Sequence, residues 1–278
     1  MSNFQKYLNV YSFESVLPGT GEHLTYKPIT TGQMKSMLLY EDNEDLGKIE
    51  EALDSLISSC VLTEGFDIMK LFLQDRFFLL VEIRKATKGN MYTFNLNCVD
   101  CKGQSMQTVD LTKIKIIKPK FEIKREQHPV AAAADEAVKK AKRVSVSKDN
   151  MPVIPWNTLK LNDRITLELS IVTRGMQAEA FKIVKEIKNM TTDQKKIEIF
   201  TIINALCITA VTTQDGREEN IPLEDKIYLM NNITQPEMEK IVKWTEDNNF
   251  GLDFTFSIKC PHCNKEVKRE VPLDDFFF

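Results

Sequence analysis

Long apolar runs are missing from this sequence of 278 residues, and so is a basic start followed by an apolar core. Its densest apolar stretch, residues 77–81, follows Asp75 and Arg76 and precedes Glu82. A membrane-spanning helix needs roughly 18 consecutive apolar residues. We therefore expect no membrane span, and the first residues predict no secretion signal.

Motifs of the common enzyme classes are missing as well. We find no phosphate-binding P-loop, no dinucleotide fingerprint and no His-Glu-x-x-His metal motif. His23, His128 and His262 are scattered and lack the partners of a Cys-His or Ser-His-Asp arrangement. These absences predict a protein that is not an enzyme and has no small-molecule substrate.

Two aspartates, Asp75 and Asp225, each have a basic neighbour in related segments. An ion pair or a hydrogen bond to the backbone is the expected role of such residues. A hydrolase would need both carboxylates to line one open pocket. A hydrolase that uses these two carboxylates is the alternative hypothesis.

Cysteine is sparse, with six residues, and four of these form two Cys-x-x-Cys pairs. This usage favours a reducing compartment such as the cytoplasm, and a metal site over a disulfide framework. With 42% hydrophobic and 28% charged residues, the chain can bury a sizeable core. Its net charge of −3 predicts neither nucleic acid nor a membrane as partner.

The two Cys-x-x-Cys pairs lie in segments that resemble each other, residues 91–111 and 253–273. A shift of 162 positions aligns seven identical or similar residues: Thr93 with Thr255, Phe94 with Phe256, Leu96 with Ile258, Cys98 with Cys260, Cys101 with Cys263, Val109 with Val271, and Leu111 with Leu273. Each segment reads as an alternating strand, a Cys-x-x-Cys turn and a second alternating strand, which is half of a zinc ribbon.

One such half supplies two thiolates, whereas a structural zinc ion needs four ligands. We therefore predict one structural Zn²⁺ site made by Cys98, Cys101, Cys260 and Cys263. A closed site of four thiolates leaves no open position for a substrate. A vestigial or disulfide-forming site and a redox site are the alternatives; neither pair opens a helix after a strand, where a thioredoxin-like thiolate would sit.

Weaker matches extend the repeat to most of the chain. Residues 24–32 match 167–175 at an offset of 143, the helix ending at Cys60 matches residues 197–207 at 147, and residues 73–80 match 223–230 at 150. Cys60 and Cys207 fall at equivalent places on apolar helix faces, as buried cysteines do. The growing offset indicates insertions in the second copy, the largest in residues 231–249.

The fold class predicted is α+β, with two tandem duplicated units of helices plus a zinc-ribbon half, related by a pseudo-twofold axis and sharing the four-cysteine site. The first repeat is residues 1–111 and the second is residues 158–278. In the first we expect a hairpin (residues 11–17 and 22–29), a helix capped by Thr30 or Thr31 with Met34, Leu38 and Leu39 on one face, and helices over 45–61 and 67–86.

Residues 112–157 are predicted to be a basic linker rich in alanine and lysine. Residues 112–148 hold 11 Lys or Arg and 4 Asp or Glu, a net +7. This excess supports an alternative function, a zinc-ribbon regulator that binds nucleic acid through the linker.

The chain ends in Phe276, Phe277 and Phe278. An exposed phenylalanine lacks the roughly 1.5 to 3 kcal/mol of stabilisation that full burial of its side chain provides. We expect the three residues either to fold back onto the core or to form a docking peptide that binds a partner.

Residues 75–89 (DRFFLLVEIRKATKG), followed by an alternating strand and the pair Cys98 and Cys101, resemble the baseplate hub and hub-assembly proteins of T-even-like contractile-tailed phages. The second copy departs from that pattern at residues 231–234, although Asp225 and the second cysteine pair remain. The resemblance implies a non-enzymatic protein that binds other tail and hub proteins. It also implies a place in the host cytoplasm during assembly or in the tail baseplate of the virion.

Overall fold

The computed structural model describes residues 11–39, 45–121 and 157–271, together with Phe276. These residues form seven α-helices: α1 Thr31–Leu38, α2 Leu46–Cys60, α3 Leu73–Lys88, α4 Arg174–Glu186, α5 Thr192–Cys207, α6 Leu223–Asn232 and α7 Gln235–Asp247. They also form twelve strands: β1 Phe13–Val16, β2 His23–Tyr26, β3 Met91–Asn97, β4 Gln104–Asp110, β5 Lys115–Ile117, β6 Thr158–Lys160, β7 Thr166–Leu169, β8 Ile208–Thr213, β9 Gly216–Glu218, β10 Gly251–Asp253, β11 Thr255–Lys259 and β12 Glu266–Glu270. The chain is therefore a mixed helix and strand protein, as predicted.

Contacts divide the chain into two compact units. The first unit comprises Met1–Pro119, Thr173–Lys182 and Asn249–Phe278, and the second comprises Lys120–Val172 and Ile183–Asn248. These boundaries differ from those of the predicted repeats, because the hairpin β11–β12 and the start of α4 belong to the first unit. The repeats are defined by sequence similarity, so their boundaries stay a prediction.

The first unit begins as the sequence predicts. Strands β1 and β2 form an antiparallel hairpin in which Phe13 pairs with Tyr26. Thr30 caps α1 through a reciprocal capping box with Gln33. The predicted apolar face of α1 is only partly correct, since Met34 packs against the core whereas Leu38 and Leu39 are exposed.

Helix α3 is the centre of the first unit. Phe78, Leu79, Val81 and Ile83 are buried in one core with the inward side chains of the hairpins. The helix begins at Leu73, six residues later than predicted, because a short 3-10 turn at Ile68–Lys70 is followed by extended backbone that forms an isolated β-bridge from Phe72 to Thr173. It ends before Gly89, whose φ of 84° is a conformation that favours glycine.

The start of the predicted linker is ordered in the first unit. Strand β5 lies within residues 112–157 and pairs antiparallel with β10, so that Ile117 is opposite Gly251. Residues 122–156, which carry the remainder of the predicted basic linker, lie outside the described residues.

The second unit contains a four-stranded antiparallel sheet in the order β6-β7-β8-β9. Helix α5 runs directly into β8. Two lysines donate to backbone carbonyls of this unit, Lys226 to Ile208 over 2.7 Å and Lys240 to Leu161 over 2.5 Å. The carbonyl oxygens that these lysines reach are thereby satisfied.

One backbone hydrogen bond recurs in both units at positions that the repeat relates. Lys27 donates to the carbonyl of Cys60 over 2.9 Å, and Ser170 donates to the carbonyl of Cys207 over 2.8 Å. In each case the donor follows a strand, β2 or β7, and the acceptor ends a helix, α2 or α5. None of the helices in the described ranges combines the length and apolar content that crossing a bilayer requires.

Candidate metal centre

Two hairpins of the first unit carry the Cys-x-x-Cys pairs. Strands β3 and β4 pair from Met91 opposite Asp110 to Asn97 opposite Gln104. Strands β11 and β12 pair from Thr255 opposite Glu270 to Lys259 opposite Glu266. Alternation buries Tyr92, Phe94 and Leu96 on one hairpin and Ile258 on the other. The cysteine turns, here called knuckles (residues 98–103 and 260–265), therefore close both hairpins.

The first knuckle is held by backbone hydrogen bonds. The N–H of Cys98 donates to the carbonyl of Gly103 over 3.0 Å, and the N–H of Lys102 donates to the carbonyl of Cys98 over 3.0 Å. Lys102 has a φ of 59°, which a non-glycine residue adopts only where a tight turn demands it. The turn brings the two thiols of the motif to one side.

The second knuckle has the same bonds. Cys260 donates to the carbonyl of Lys265 over 2.9 Å, and Asn264 donates to the carbonyl of Cys260 over 2.9 Å. Asn264 also has a φ of 59°. At the shift of 162 positions, the two turns therefore have the same backbone hydrogen bonds. They also have a residue with positive φ at the same place.

The four sulfur atoms of Cys98, Cys101, Cys260 and Cys263 lie within 4.8 Å of one another. The Sγ atoms of Cys98 and Cys263 are 3.8 Å apart, and those of Cys101 and Cys260 are 3.7 Å apart. Both short distances join different hairpins. Cys98 and Cys260 are buried, Cys263 is half-buried and Cys101 is exposed. This cluster could hold a metal ion, and its two cysteine pairs lie 162 positions apart in the sequence.

Neighbouring groups set the acidity of these thiols. Backbone N–H donors, first that of Cys101, lower the pKa of Cys98 to about 7. The pKa of Cys263 is raised to about 11, because burial and the neighbouring sulfurs outweigh the N–H that Lys265 donates to its thiolate. Four adjacent thiolates repel one another, so binding of a cation to this cluster is coupled to the release of protons.

Two further contacts join the knuckles. Lys265 Nζ donates to Asp100 Oδ1 over 3.0 Å, and the Nε2–H of His262 donates to the carbonyl oxygen of Gln104 over 2.9 Å. The imidazole lies so close to Gly103 that a Cβ there would stand 2.6 Å from its Cδ2. His262 is exposed, and it also packs on Gly103 of the opposite knuckle.

The predicted partner-binding phenylalanines are described only in part. Phe276 is buried, and its ring packs on Tyr92 at 5.2 Å and on Phe254 at 6.3 Å between centroids. The buried Arg84 donates to the Phe276 carbonyl over 3.3 Å and places its guanidinium 5.5 Å from the ring. This residue therefore folds back onto the core. Phe277 and Phe278 lie outside the described residues.

Asp75 and Asp225 have different surroundings. The buried carboxylate of Asp75 accepts hydrogen bonds from the backbone N–H groups of Gly19 and Thr20 at 2.7 and 3.0 Å. Burial raises the pKa of Asp75 to about 6 although these donors favour the ionised form. Asp225 is exposed. Asp75 thus fixes the hairpin turn and lines no open pocket.

The remaining cysteines behave as buried apolar residues. Burial raises the pKa of Cys207 to about 12, and burial likewise raises the pKa of Cys60. Both thiols therefore stay protonated at neutral pH, which suits the structural interpretation made from the sequence.

A buried ion-pair network in the first unit was not predicted from the sequence. Asp54 accepts from Arg76 Nε and from Arg174 Nε, both at 2.7 Å, and Glu50 lies 2.7 Å from Arg76 Nη1. Arg174 and Asp54 are separated by 120 positions, so no local pattern relates them. The network fixes the first turn of α4 in the first unit.

The two knuckle hairpins bring four cysteine thiols into one cluster that could hold a metal ion. The chain belongs to the family of T4 bacteriophage base plate proteins, whose model matches residues 9–278. Membership supports a structural role in the phage tail and contacts with other tail proteins. No curated protein and no solved structure matches the chain.

Proposed function

We propose that this chain is a non-enzymatic baseplate hub protein or hub-assembly factor, which acts as a scaffold that binds other tail proteins. The family match over residues 9–278 is the observation that carries the proposal. The resemblance of residues 75–101 to hub and hub-assembly proteins favours the hub within the baseplate. The burial of Asp75, which removes one of the two carboxylates of the hydrolase alternative, also favours a scaffold.

The metal at the cysteine cluster is proposed to be structural Zn²⁺. Four thiolates around zinc at about 2.3 Å in a tetrahedron would place the sulfurs about 3.8 Å apart. The two Sγ–Sγ distances between the hairpins, 3.7 and 3.8 Å, fit that edge length. Zinc would supply folding free energy by fastening the ends of both hairpins, at roughly 10 to 16 kcal/mol in small zinc domains.

We further propose that the chain arose by internal duplication, with repeats at residues 1–111 and 158–278 and a linker at 112–157. The equal bonding of the knuckles supports this origin, as does the recurrent bond to Cys60 and Cys207. If the two hairpins are exchanged, Cys98 takes the place of Cys260 and Cys263 takes the place of Cys101. One of the two short sulfur pairs is thereby superimposed on the other. That exchange is what a local pseudo-twofold axis between the hairpins requires.

The zinc proposal is tested by elemental analysis of the purified chain. We expect one zinc per chain, and loss of that zinc in the Cys101→Ser variant. Cys60→Ser, a change to a cysteine outside the cluster, is the matched control and should keep the metal. A purified wild-type chain that contains no metal would contradict the proposal.

The assembly proposal is tested in phage. A phage that lacks this gene should make no complete baseplates, and quantitative mass spectrometry of finished particles distinguishes the two roles. A hub component stays in the particle, whereas an assembly factor is absent from it. Replacement of Phe277 and Phe278 by alanine tests whether those residues bind a partner, because baseplate yield should fall if they do. Normal baseplates without the gene would refute the assembly role.

A further inference from the structure

Three of the four outward cross-strand pairs of the hairpin β3–β4 carry no charge. The fourth pair, Met91 opposite Asp110, includes a half-buried carboxylate that accepts hydrogen bonds from Thr112. The three uncharged pairs are here called the neutral face: Thr93 opposite Thr108, Asn95 opposite Met106, and Asn97 opposite Gln104. All six side chains are exposed. Met106 is 74% exposed, and Met91 beyond the end of the face is 56% exposed.

The corresponding surface of the hairpin β11–β12 is strongly charged. The shift of 162 positions places Glu266, Lys268 and Glu270 where the neutral face has Gln104, Met106 and Thr108. Lys259 replaces Asn97 in the same way, and these four charged side chains are exposed. The two hairpins share their fold and knuckle bonds, so the fold does not require a neutral outer surface.

Depletion of charge and enrichment in methionine distinguish the centre of a protein interface from ordinary surface. The neutral face spans five residues of each strand, or about 17 Å, and the two strands are about 10 Å wide together. That area of roughly 170 Å² is well below the ~800 Å² that each partner of a stable complex buries. The face is therefore too small to hold a free dimer and suits a neighbour that further contacts already keep in place.

Charge also selects the occupant. Phosphate groups of nucleic acid or lipid bind Lys and Arg, and the neutral face has neither. A charged side chain from a partner would lose its water against this surface and gain no counter-charge. Amide, hydroxyl and thioether groups instead suit an uncharged surface of the same kind.

We propose that the neutral face docks an uncharged surface of a neighbouring protein within the baseplate. This inference rests on the proposed assembly function and adds a surface to it. The β11–β12 hairpin would correspondingly keep its charged surface in water.

The first experiment uses a photo-cross-linking amino acid at position 106 or at the matched position 268 of the full chain. Cross-linking is performed during assembly, and baseplate intermediates are purified for mass spectrometry. We expect position 106 to join another tail protein, at an uncharged segment, with at least about tenfold the yield of position 268. Equal yields, a cross-link to a second copy of this chain, or no protein cross-link from position 106 would overturn the proposal.

The second experiment transplants charge between the hairpins. The triple variant Gln104→Glu, Met106→Lys, Thr108→Glu receives side chains that the other hairpin already tolerates. The reverse variant Glu266→Gln, Lys268→Met, Glu270→Thr is its control. In a phage that lacks the gene, we expect complementation with the first variant to lower the yield of baseplates roughly 100-fold. The reason is that the interface is weak and the variant places unpaired charges in it. The reverse variant should complement fully.

The outcomes separate the two proposals. If both variants complement while the gene itself is essential for baseplates, the docking proposal fails and the assembly function stands. If baseplates form without the gene, the assembly function fails. Metal content and thermal unfolding of both variants should match the wild type. If the triple variant Gln104→Glu, Met106→Lys, Thr108→Glu does not fold, the cross-linking experiment alone decides whether the docking proposal holds.

Discussion

Arg174 donates its Nε–H to Oδ2 of Asp54 over 2.7 Å, and the two residues are 120 positions apart in the chain. Both side chains are buried, and the other carboxylate oxygen accepts from Arg76. A single carboxylate therefore holds two guanidinium groups inside the first unit. Such a network stabilises a fold only while every member is present.

Replacement of Asp54 by asparagine should destabilise the first unit strongly. The change leaves the buried Arg174 without its anion and leaves Arg76 with Glu50 alone. Breaking a buried ion pair in this way typically costs about 3 to 5 kcal/mol. Lys70→Met, which removes an exposed ion pair with Asp67, is the control and should cost less than about 1 kcal/mol. Unfolding in urea measures both changes, and equal effects would show that the buried network has no special weight.

Asp75 should make the unfolding free energy depend on pH. Its pKa of about 6 in the folded chain lies above the ordinary 3.8, so the folded chain binds this proton more readily than the unfolded chain. The stabilisation is complete below the ordinary value and is lost as pH rises through about 6. It amounts to about 3 kcal/mol, at 1.36 kcal/mol per pKa unit.

Titration of stability between pH 4 and 7 tests this contribution. Asp75→Asn should flatten the pH dependence relative to wild type, because the amide does not ionise. Asp225→Asn, at the exposed position that the repeat relates to Asp75, should keep the wild-type profile. An unchanged profile in Asp75→Asn would contradict the assignment of the pH dependence to Asp75.

Phe276 should contribute to the stability of the first unit. It packs on Tyr92 and Phe254, which the shift of 162 positions relates, so one ring contacts equivalent places on both hairpins. Phe276→Ala should cost about 3 to 5 kcal/mol, as for other buried phenylalanines. Phe276→Leu keeps most of the apolar volume and should cost clearly less. Thermal unfolding compares them, and a neutral alanine variant would contradict the packing.

Gly103 should be required for the close approach of the knuckles. In Gly103→Ala the new methyl group would displace His262 and break its hydrogen bond to Gln104. We expect metal release to a chelator to accelerate roughly threefold to tenfold, equivalent to about 1 kcal/mol. Adding His262→Ala removes the clash with the imidazole and leaves the new methyl group 3.3 Å from Cys101 Sγ. We expect the double variant to release metal no faster than His262→Ala alone. A faster release would show that the contact with Cys101 Sγ is the cause.

Much of the candidate site could be predicted from sequence because it is local. Alternating residues and a Cys-x-x-Cys turn specify each hairpin, and capping residues such as Thr30 specify helix starts. The set of four cysteines could be predicted because each Cys-x-x-Cys pair supplies two of the four ligands that a structural zinc ion needs. Two such pairs at matched positions of the repeat therefore predict one complete site. The four sulfurs do come within 4.8 Å of one another.

Other features had no local signature. The start of α3 depends on the bridge from Phe72 to Thr173, a partner that periodicity within residues 67–86 does not indicate. The exposure of Leu38 and Leu39 likewise depends on what packs against α1, since spacing alone suggested burial. The two compact units each combine segments that are distant in the chain, because long-range contacts decide compactness.

The sequence by itself determined the α+β class, the two knuckle hairpins and the cysteines that face each other, because hydrogen bonding along the chain and side-chain alternation act over a few residues. Only the tertiary structure decided that Arg174 is buried on Asp54, that Phe276 folds onto Arg84, and that one hairpin exposes a neutral face. Those features arise from packing between residues distant in the chain, where burial and charge compensation depend on the assembled core.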